Sequence, residues 1–206
     1  MVASDRWQYA KDTIAGWPDI EEIPPGIRLN LGCGKCILPQ EEGWVNVDKV
    51  ALEGVDEVMD LFRFPWPWKT NSVDYIMASH IVEHIPHQID KYPMDGFFIF
   101  FREVHHILKP EGFITVICPY GMSTGGLQDP THTRLIVPET FGYLRQTAGE
   151  DNWDYDLGYA FEAINGTPQL FSQAWTNVLD QQALGNALRL SWNVGHSIRV
   201  DLRPMK

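Results

Sequence analysis

Residues 29–39 read LNLGCGKCILP, and this stretch decides the fold. Its apolar start is typical of a buried β-strand, and Gly32-Cys33-Gly34 predicts a tight turn at which the backbone can approach a small molecule. The same letters contain Cys33-Gly34-Lys35-Cys36, a C-x-x-C pattern that also occurs in redox dithiols and in half of a zinc site. The residues around the turn decide between these interpretations.

Those residues disfavour thiol and dinucleotide chemistry. A thioredoxin-type dithiol needs a helix to start at its first sulfur, and Pro39 and Gly43 argue against one. A zinc site would need two further ligands at suitable spacing, and Cys118 is the only other cysteine. A dinucleotide fingerprint would need glycine where Ile37 stands. A cofactor without phosphate needs only close backbone approach and a carboxylate for its ribose, and Asp48 ends the next predicted strand. S-adenosylmethionine suits this combination; a structural turn followed by a turn aspartate is the alternative.

The hydrophobic pattern predicts an α/β fold. Phe97, Phe101, Val104 and Leu108 form one face of a helix that begins after Asp95 and ends at residues 109–112. Because this helix connects two buried apolar segments, the three form a βαβ unit with parallel strands, and ligands bind at the carboxyl ends of such strands. The predicted strands are 27–31, 44–47, 55–59, 73–78 and 113–118, with antiparallel edge strands at 159–164 and 198–202. Further helices are predicted near 4–16, 138–146 and 169–188.

Composition favours a single globular domain and excludes some partners. The 206 residues include 27 acidic and 16 basic ones, which gives a formal net charge of −11. This charge repels nucleic acid and anionic lipid, so we expect neither as a partner. The longest apolar run, residues 97–101, is too short to span a bilayer, and residues 1–10 lack the apolar core of a secretion signal. Three cysteines suggest a reducing compartment, and a cytoplasmic location is expected. The oligomeric state stays open.

Four motifs resemble those of the class I S-adenosylmethionine-dependent methyltransferases, particularly the small type 11 group. They are LNLGCG at 29–34, VNVD at 45–48, SHIVEH at 79–84, and FREV through LKPEG at 101–112. The resemblance covers about residues 27–119. It implies a Rossmann-like, seven-stranded, mostly parallel sheet with helices on both faces and an antiparallel edge strand. We expect one domain over 1–206, with an N-terminal helix and linker (1–26), a cofactor-binding core (27–119) and an acceptor-side region (120–206).

The resemblance also implies site residues. The family often has an acidic residue where Asn30 stands and a third glycine where Cys36 stands, and its usual helix after the loop is absent or very short here. Position by position, the implied cofactor-binding residues are Gly32, Cys33 and Gly34 in the loop, Asp48 at the ribose, Asp60 with Leu61 at the adenine, and Ser79 with His80 at the methionine end.

Two histidines are candidates for catalysis. His132 lies in the segment DPTHTR, after the fifth strand, where this family often covers its acceptor, and we rank it first as general base. His84 ranks second. The alternative for the segment that contains His132 is a surface turn, and the alternative for His84 is an imidazole that only caps or packs. Residues 80–84, HIVEH, also fit the zinc-binding H-x-x-E-H pattern, but Pro86 shortens the helix that this pattern needs. We assign no metal ligand.

The sequence therefore predicts methyl transfer from S-adenosylmethionine to an oxygen or nitrogen atom of a small or medium-sized acceptor, such as a small molecule or a glycan. The first alternative is a catalytically silent, methyltransferase-like binding or regulatory module, which the departures at Asn30 and Cys36 motivate. The second is a zinc hydrolase that uses the HIVEH motif. The acceptor itself is not readable, since specificity lies in loops outside the motifs.

Overall fold

A computed structural model describes residues 17–19, 23–89, 91–145, 157–164, 169–172 and 179–206. None of the helices in these ranges has both the length and the apolar composition needed to cross a bilayer. The predicted helix near residues 4–16 lies outside the described residues.

Within the described residues, eight strands form one sheet, flanked by three α-helices and by short 3-10 turns. The strands are β1 (Arg28–Leu31), β2 (Trp44–Asp48), β3 (Glu57–Val58), β4 (Val73–Ser79), β5 (Leu108–Pro119), β6 (Ala160–Ala163), β7 (Gln169–Ser172) and β8 (Gly195–Met205). The helices are α1 (Gly96–Ile107), α2 (Thr124–Leu127) and α3 (Gln181–Leu190), and the 3-10 turns are Gln40–Glu42, Val82–His84 and Pro138–Leu144.

The strand order is β3-β2-β1-β4-β5-β8-β6, and β7 also pairs with β8. The first five strands are mutually parallel, whereas β8 runs antiparallel to β5, β6 and β7. Strands β6 and β7 pair with successive parts of β8, so the sheet is seven strands wide. The predicted mostly parallel α/β sheet with antiparallel edge strands is confirmed.

Strand β4 shows how the sheet is buried on both faces. Ile76 and Ala78 point into a large core that α1 covers, while Tyr75 and Met77 point to the opposite face and pack with Trp44. Side chains alternate across a strand, and a strand covered on both faces is apolar on both, as β4 is from Tyr75 to Ala78. The residues described on the second face are loop segments that carry Trp17, Ile23 and Leu38.

Helix α1 starts as predicted, because the Asp95 carboxylate accepts a hydrogen bond of 2.8 Å from the Phe97 amide. It ends earlier than predicted: Leu108 already belongs to β5, which starts five residues before the expected position 113. Pairing of Leu108 with Val73 and an ion pair of 2.7 Å from Lys109 to Asp74 draw this segment into the sheet.

The helix predicted near 138–146 is present as a 3-10 helix over Pro138–Leu144. Two further predictions need correction. The predicted helix near 169–188 is strand β7 followed by α3 from Gln181 onward, because residues 169–172 pair with β8. Strand β3 spans two residues rather than five, because it pairs with β2 only at the level of Val47 and Asp48. In each case neighbouring strands or loops override the local pattern.

Candidate functional site

The turn after β1 depends on two glycines. Gly32 and Gly34 have φ angles of +64° and +50°, in the left-handed region that favours glycine. A Cβ added at Gly32 would lie 1.9 Å from Cδ1 of Ile81, so the turn also leaves no room for a side chain there. The Gly34 amide donates a 2.8 Å hydrogen bond to the carboxylate of Asp48, which ties the turn to the end of β2.

Asn30, a departure from the family pattern, has a structural function here. Its buried amide nitrogen donates to the Cys36 carbonyl at 2.8 Å and to Oδ1 of Asn46 at 3.0 Å. The same Oδ1 accepts from the Leu38 amide at 2.8 Å. The two asparagines therefore hold the segment that follows the glycine turn. This is the segment for which the sequence predicts no helix, or only a very short one.

Cys33, the first cysteine of the C-x-x-C pattern, is a free thiol. Burial, and secondarily the charge of Asp48, raises the pKa of Cys33 to about 12. Because the thiolate is the reactive form, Cys33 is inert as a nucleophile near neutral pH. Its buried thiol donates to the Gly34 carbonyl at 3.8 Å, and its amide donates to the Val47 carbonyl at 3.0 Å, so both hold the turn in place.

A first cavity, of about 350 Å³, opens at the carboxyl ends of β1 and β2. Asp60 stands at its edge with Oδ1 fixed by the Phe62 amide at 3.0 Å. Four of the predicted cofactor residues meet here, with backbone and apolar side chains between the carboxylates. The lining residues are Gly32, Asp48, Lys49, Met59, Asp60, Leu61, Phe62, Ile81, His84 and Thr131.

A second cavity, of about 390 Å³, lies beyond the ends of β4 and β5. Four of its lining residues are histidines. They come from the end of β4, the 3-10 turn after it, the segment after α2 and the start of β8. The lining residues are His80, Glu83, His84, Pro119, Gly125, Gln128, Asp129, His132, His196 and Ser197. His84 lines both cavities, so the two spaces lie beside the same residue.

The DPTHTR segment is fastened across the 3-10 turn by hydrogen bonds. Thr133 donates from its amide to the Glu83 carbonyl at 2.8 Å and from its hydroxyl to the Ile85 carbonyl at 2.6 Å. The guanidinium of Arg134 donates to the Ile85 carbonyl at 2.8 Å and to the Asp95 carboxylate at 2.9 Å. These bonds bring His132 beside a turn that lies almost fifty positions earlier in the chain.

The two catalytic candidates are in contact. The ring centres of His84 and His132 are 4.8 Å apart, with an angle of 73° between the ring planes. Hydrogen bonds from the Thr131 hydroxyl and amide to the neighbouring Asp129 lower the pKa of that carboxylate. A negative charge therefore persists at the edge of the histidine cluster.

The structure places the other predicted site residues differently. His80, predicted at the methionine end of the cofactor, lines the second cavity instead, with Nδ1 3.2 Å from Oε1 of Glu83. The Ser79 hydroxyl is buried and makes no hydrogen bond within the described part of the chain. Cys33 and Gly34 shape the turn without lining the first cavity. Sequence reasoning missed His196, because its position at the start of β8 becomes relevant only when β8 pairs with β5.

The H-x-x-E-H pattern does not have the helix that a zinc peptidase of that type requires. Residues 82–84 form a single 3-10 turn, and His80 has a left-handed φ of +57°. His80 and His84 consequently do not sit one turn apart on a helix face. The residues whose donor atoms approach a common point are instead Glu83, His84 and His132.

No protein-family model matches the chain. A 61-residue stretch is 38% identical to glucose N-acetyltransferase 1 of Saccharomyces cerevisiae, which covers 30% of this chain and 12% of the yeast protein. The chain thus spans only a small part of that relative.

Solved structures match over nearly the whole chain. A SAM-dependent methyltransferase from Archaeoglobus fulgidus is 18% identical with a TM-score of 0.58, over 97% of this chain and 91% of its own. An S-adenosylmethionine-dependent methyltransferase from Mesorhizobium loti is 16% identical with a TM-score of 0.52, over 93% and 99%. The [4+2]-cyclase SpnF is 14% identical with a TM-score of 0.51, over 96% and 78%. The chain therefore has the fold of the class I S-adenosylmethionine-dependent methyltransferases.

Proposed function

We propose that this protein transfers a methyl group from S-adenosylmethionine to an oxygen or nitrogen atom of a small-molecule or glycan-type acceptor. The observation that carries the proposal is that two cavities adjoin the same residue, His84, one lined by the glycine turn and carboxylates and the other by histidines. Two neighbouring binding spaces hold a donor and an acceptor close together, which is the proximity that a direct transfer requires. Within the class I methyltransferases, we assign the chain to the small type 11 group, because its four motifs resemble those of that group.

The first cavity fits the cofactor. Its volume of about 350 Å³ lies in the range of small-molecule sites, roughly 300–1,000 Å³. Each oxygen of Asp48 accepts one backbone hydrogen bond, from Gly34 at 2.8 Å or Val50 at 2.9 Å, and each retains a lone pair for a ribose hydroxyl. We assign Asp60 and Leu61 to the adenine and the backbone of Gly32 to the methionine portion. When bound, S-adenosylmethionine supplies a sulfonium methyl group that needs no further activation.

The second cavity orients the acceptor and handles its proton. His132 donates from Nδ1 to the Gly126 carbonyl at 2.8 Å, so its Nε2 keeps a lone pair that accepts a proton. This supports His132 as first general base, with His84 as second, for an acceptor hydroxyl. An amine acceptor needs only its neutral form and the correct orientation. The narrow space favours acceptors of small or medium size.

Thermal unfolding with S-adenosylhomocysteine tests the cofactor assignment. At about 100-fold over its dissociation constant, a ligand of the folded state adds about 2.7 kcal/mol, which raises the Tm by roughly 5–10 °C for a chain of this size. We expect this shift in the wild type and its loss in Asp48→Ala. Glu53→Ala, which removes an exposed carboxylate outside the first cavity, is the matched control and keeps the shift.

Two outcomes would contradict the proposal. Absence of a shift at millimolar S-adenosylhomocysteine in the wild type would mean that the glycine turn holds no cofactor. A normal shift without any transfer of labelled methyl groups to fractionated small molecules and glycans would instead favour the silent binding module.

A further inference from the structure

Glu83, His84 and His132 form a compact cluster of metal-ligand side chains. Each offers one donor atom, and these atoms all lie within 4.8 Å of one another. All three residues line the second cavity. Three protein ligands beside an open space are typical of catalytic metal sites, which keep a coordination position for water or substrate.

Glu83 is buried in a way that favours a cation beside it. Its side chain is 2% exposed, and neither of its oxygens makes a hydrogen bond within the described residues. Within the described residues the imidazole of His80 lies beside it, with Nδ1 3.2 Å from Oε1, but that side chain is half exposed. A buried carboxylate costs several kcal/mol unless a partner compensates its charge. A metal ion between Glu83 and the two histidines would compensate it.

Both histidines are oriented as metal ligands usually are. The Nδ1 atom of His132 lies 2.8 Å from the Gly126 carbonyl, and that of His84 lies 3.3 Å from the Thr131 carbonyl. The nearer partner of His84 Nδ1 is the Thr131 hydroxyl at 3.1 Å, which donates its own proton to Asp129 and therefore accepts from Nδ1. A carbonyl also only accepts, so each Nδ1 carries the proton and each Nε2 carries the lone pair. Metal-ligating histidines typically donate their other ring N–H to a carbonyl or carboxylate in this way.

We propose that Glu83, His84 and His132 bind one divalent transition-metal ion in the acceptor cavity, and that the hydroxyl oxygen of the acceptor takes a free coordination position of that ion. Two imidazoles and one carboxylate suit zinc, manganese, iron or cobalt better than magnesium or calcium, which prefer oxygen ligands throughout. The inference rests on the proposed methyltransferase function and refines it. In this proposal His84 and His132 bind the metal instead of acting as general bases. The metal, rather than an imidazole, then activates the acceptor hydroxyl.

The proposed step conserves atoms and charge. Coordination to the metal lowers the pKa of the acceptor hydroxyl, which releases its proton to water in the open cavity. The resulting oxygen attacks the methyl carbon of the cofactor. An O–C bond forms while the C–S bond breaks, and its electron pair stays on sulfur. The products are the methyl ether or ester and S-adenosylhomocysteine, and no oxidant or reductant is needed.

Metal titration of the untagged, chelator-treated full chain tests the site. With Zn²⁺ and Co²⁺ as probes, calorimetry and elemental analysis are expected to give one ion per chain. Even the loss of a residue that only orients a ligand weakens metal binding about 10–100-fold, so His132→Ala and Glu83→Gln are expected to weaken it by at least about 100-fold. Circular dichroism confirms that each variant is folded.

Two histidine variants serve as controls. His106→Ala removes an exposed imidazole of α1, outside the second cavity, and is expected to bind metal normally. His80→Ala distinguishes the proposed site from a zinc site of the H-x-x-E-H type. Only the H-x-x-E-H site uses His80 as a ligand, so the proposed site is expected to bind metal in this variant. Binding that disappears in His80→Ala but persists in His132→Ala would overturn the assignment, as would stoichiometric binding that no variant affects.

The open coordination positions have a separate readout. Acetohydroxamate, an oxygen ligand, is expected to change the visible spectrum of the Co²⁺-loaded chain, and an unchanged spectrum would refute the free coordination position that the acceptor needs. Failure of this inference is distinguishable from failure of the proposed function. A wild type that binds S-adenosylhomocysteine but no metal refutes the inference alone, whereas metal binding without S-adenosylhomocysteine binding refutes the methyltransferase proposal.

Discussion

Replacing Gly32 with alanine tests the reasoning about the glycine turn, with Gly34→Ala as the matched control. Both glycines have left-handed φ angles, so either substitution costs about 1–2 kcal/mol in backbone strain. They differ in their surroundings. A Cβ at position 32 would lie 1.9 Å from Cδ1 and 2.8 Å from Cγ1 of Ile81, whereas no described atom lies within 4 Å of a Cβ at position 34.

The difference between the two variants is therefore an overpacking cost. Ile81 is partly buried against the main core, so its displacement costs about 1–3 kcal/mol beyond the strain. At roughly 2–4 °C per kcal/mol for a chain of this length, an extra cost of about 2 kcal/mol lowers the Tm of Gly32→Ala by a further ~4–8 °C.

Ile81→Val removes the atom that makes the closest contact and completes a double-mutant cycle. Alone it is expected to cost about 0.5–1.5 kcal/mol, as Ile→Val usually does. Combined with Gly32→Ala it is expected to recover stability, with a coupling free energy of about 1–2 kcal/mol. Calorimetry on the single and double variants measures this. Equal Tm values for Gly32→Ala and Gly34→Ala, or strictly additive losses in the double variant, would refute the packing argument.

Two further predictions concern stability. Thr115→Val is expected to lower the free energy of unfolding by about 1.5–3 kcal/mol, because the buried hydroxyl donates at 2.6 Å to Asp201; Thr70→Val, at an exposed bond to His106, is expected to cost at most about 0.5 kcal/mol. Equal losses in urea unfolding would contradict this. Burial alone would raise the pKa of Asp95, but the hydrogen bonds that its carboxylate accepts lower this pKa below the ordinary value of 3.8. The ionised carboxylate therefore stabilises the fold above about pH 3.8, and this stabilisation is lost as the pH falls through the lowered pKa. The stability advantage of the wild type over Asp95→Asn is therefore expected to shrink from pH 7 to pH 3, and a constant difference would show that the charge does not matter.

Most of the sheet could be predicted because its signals are local. The strands 73–78 and 27–31 are apolar runs bounded by turn residues, and the structure places them within a residue or two as β4 and β1. The start of α1 was also readable, since Asp95 caps it and its apolar face is periodic. The errors fall where pairing partners decide the outcome. Residues 169–172 become a strand only because β8 lies beside them.

The sequence by itself determined the glycine turn and the carboxylate of Asp48, because a left-handed backbone and a strand-end acidic residue leave marks at single positions. The grouping of Glu83, His84 and His132, with donor atoms within 4.8 Å of one another, follows from the tertiary structure alone, since the hydrogen bonds of Thr133 join segments almost fifty positions apart. The same packing places His80 in the lining of the second cavity. Backbone conformation depends mainly on residues adjacent in the chain. A cavity depends on residues that are distant in the chain and that long-range pairing brings together.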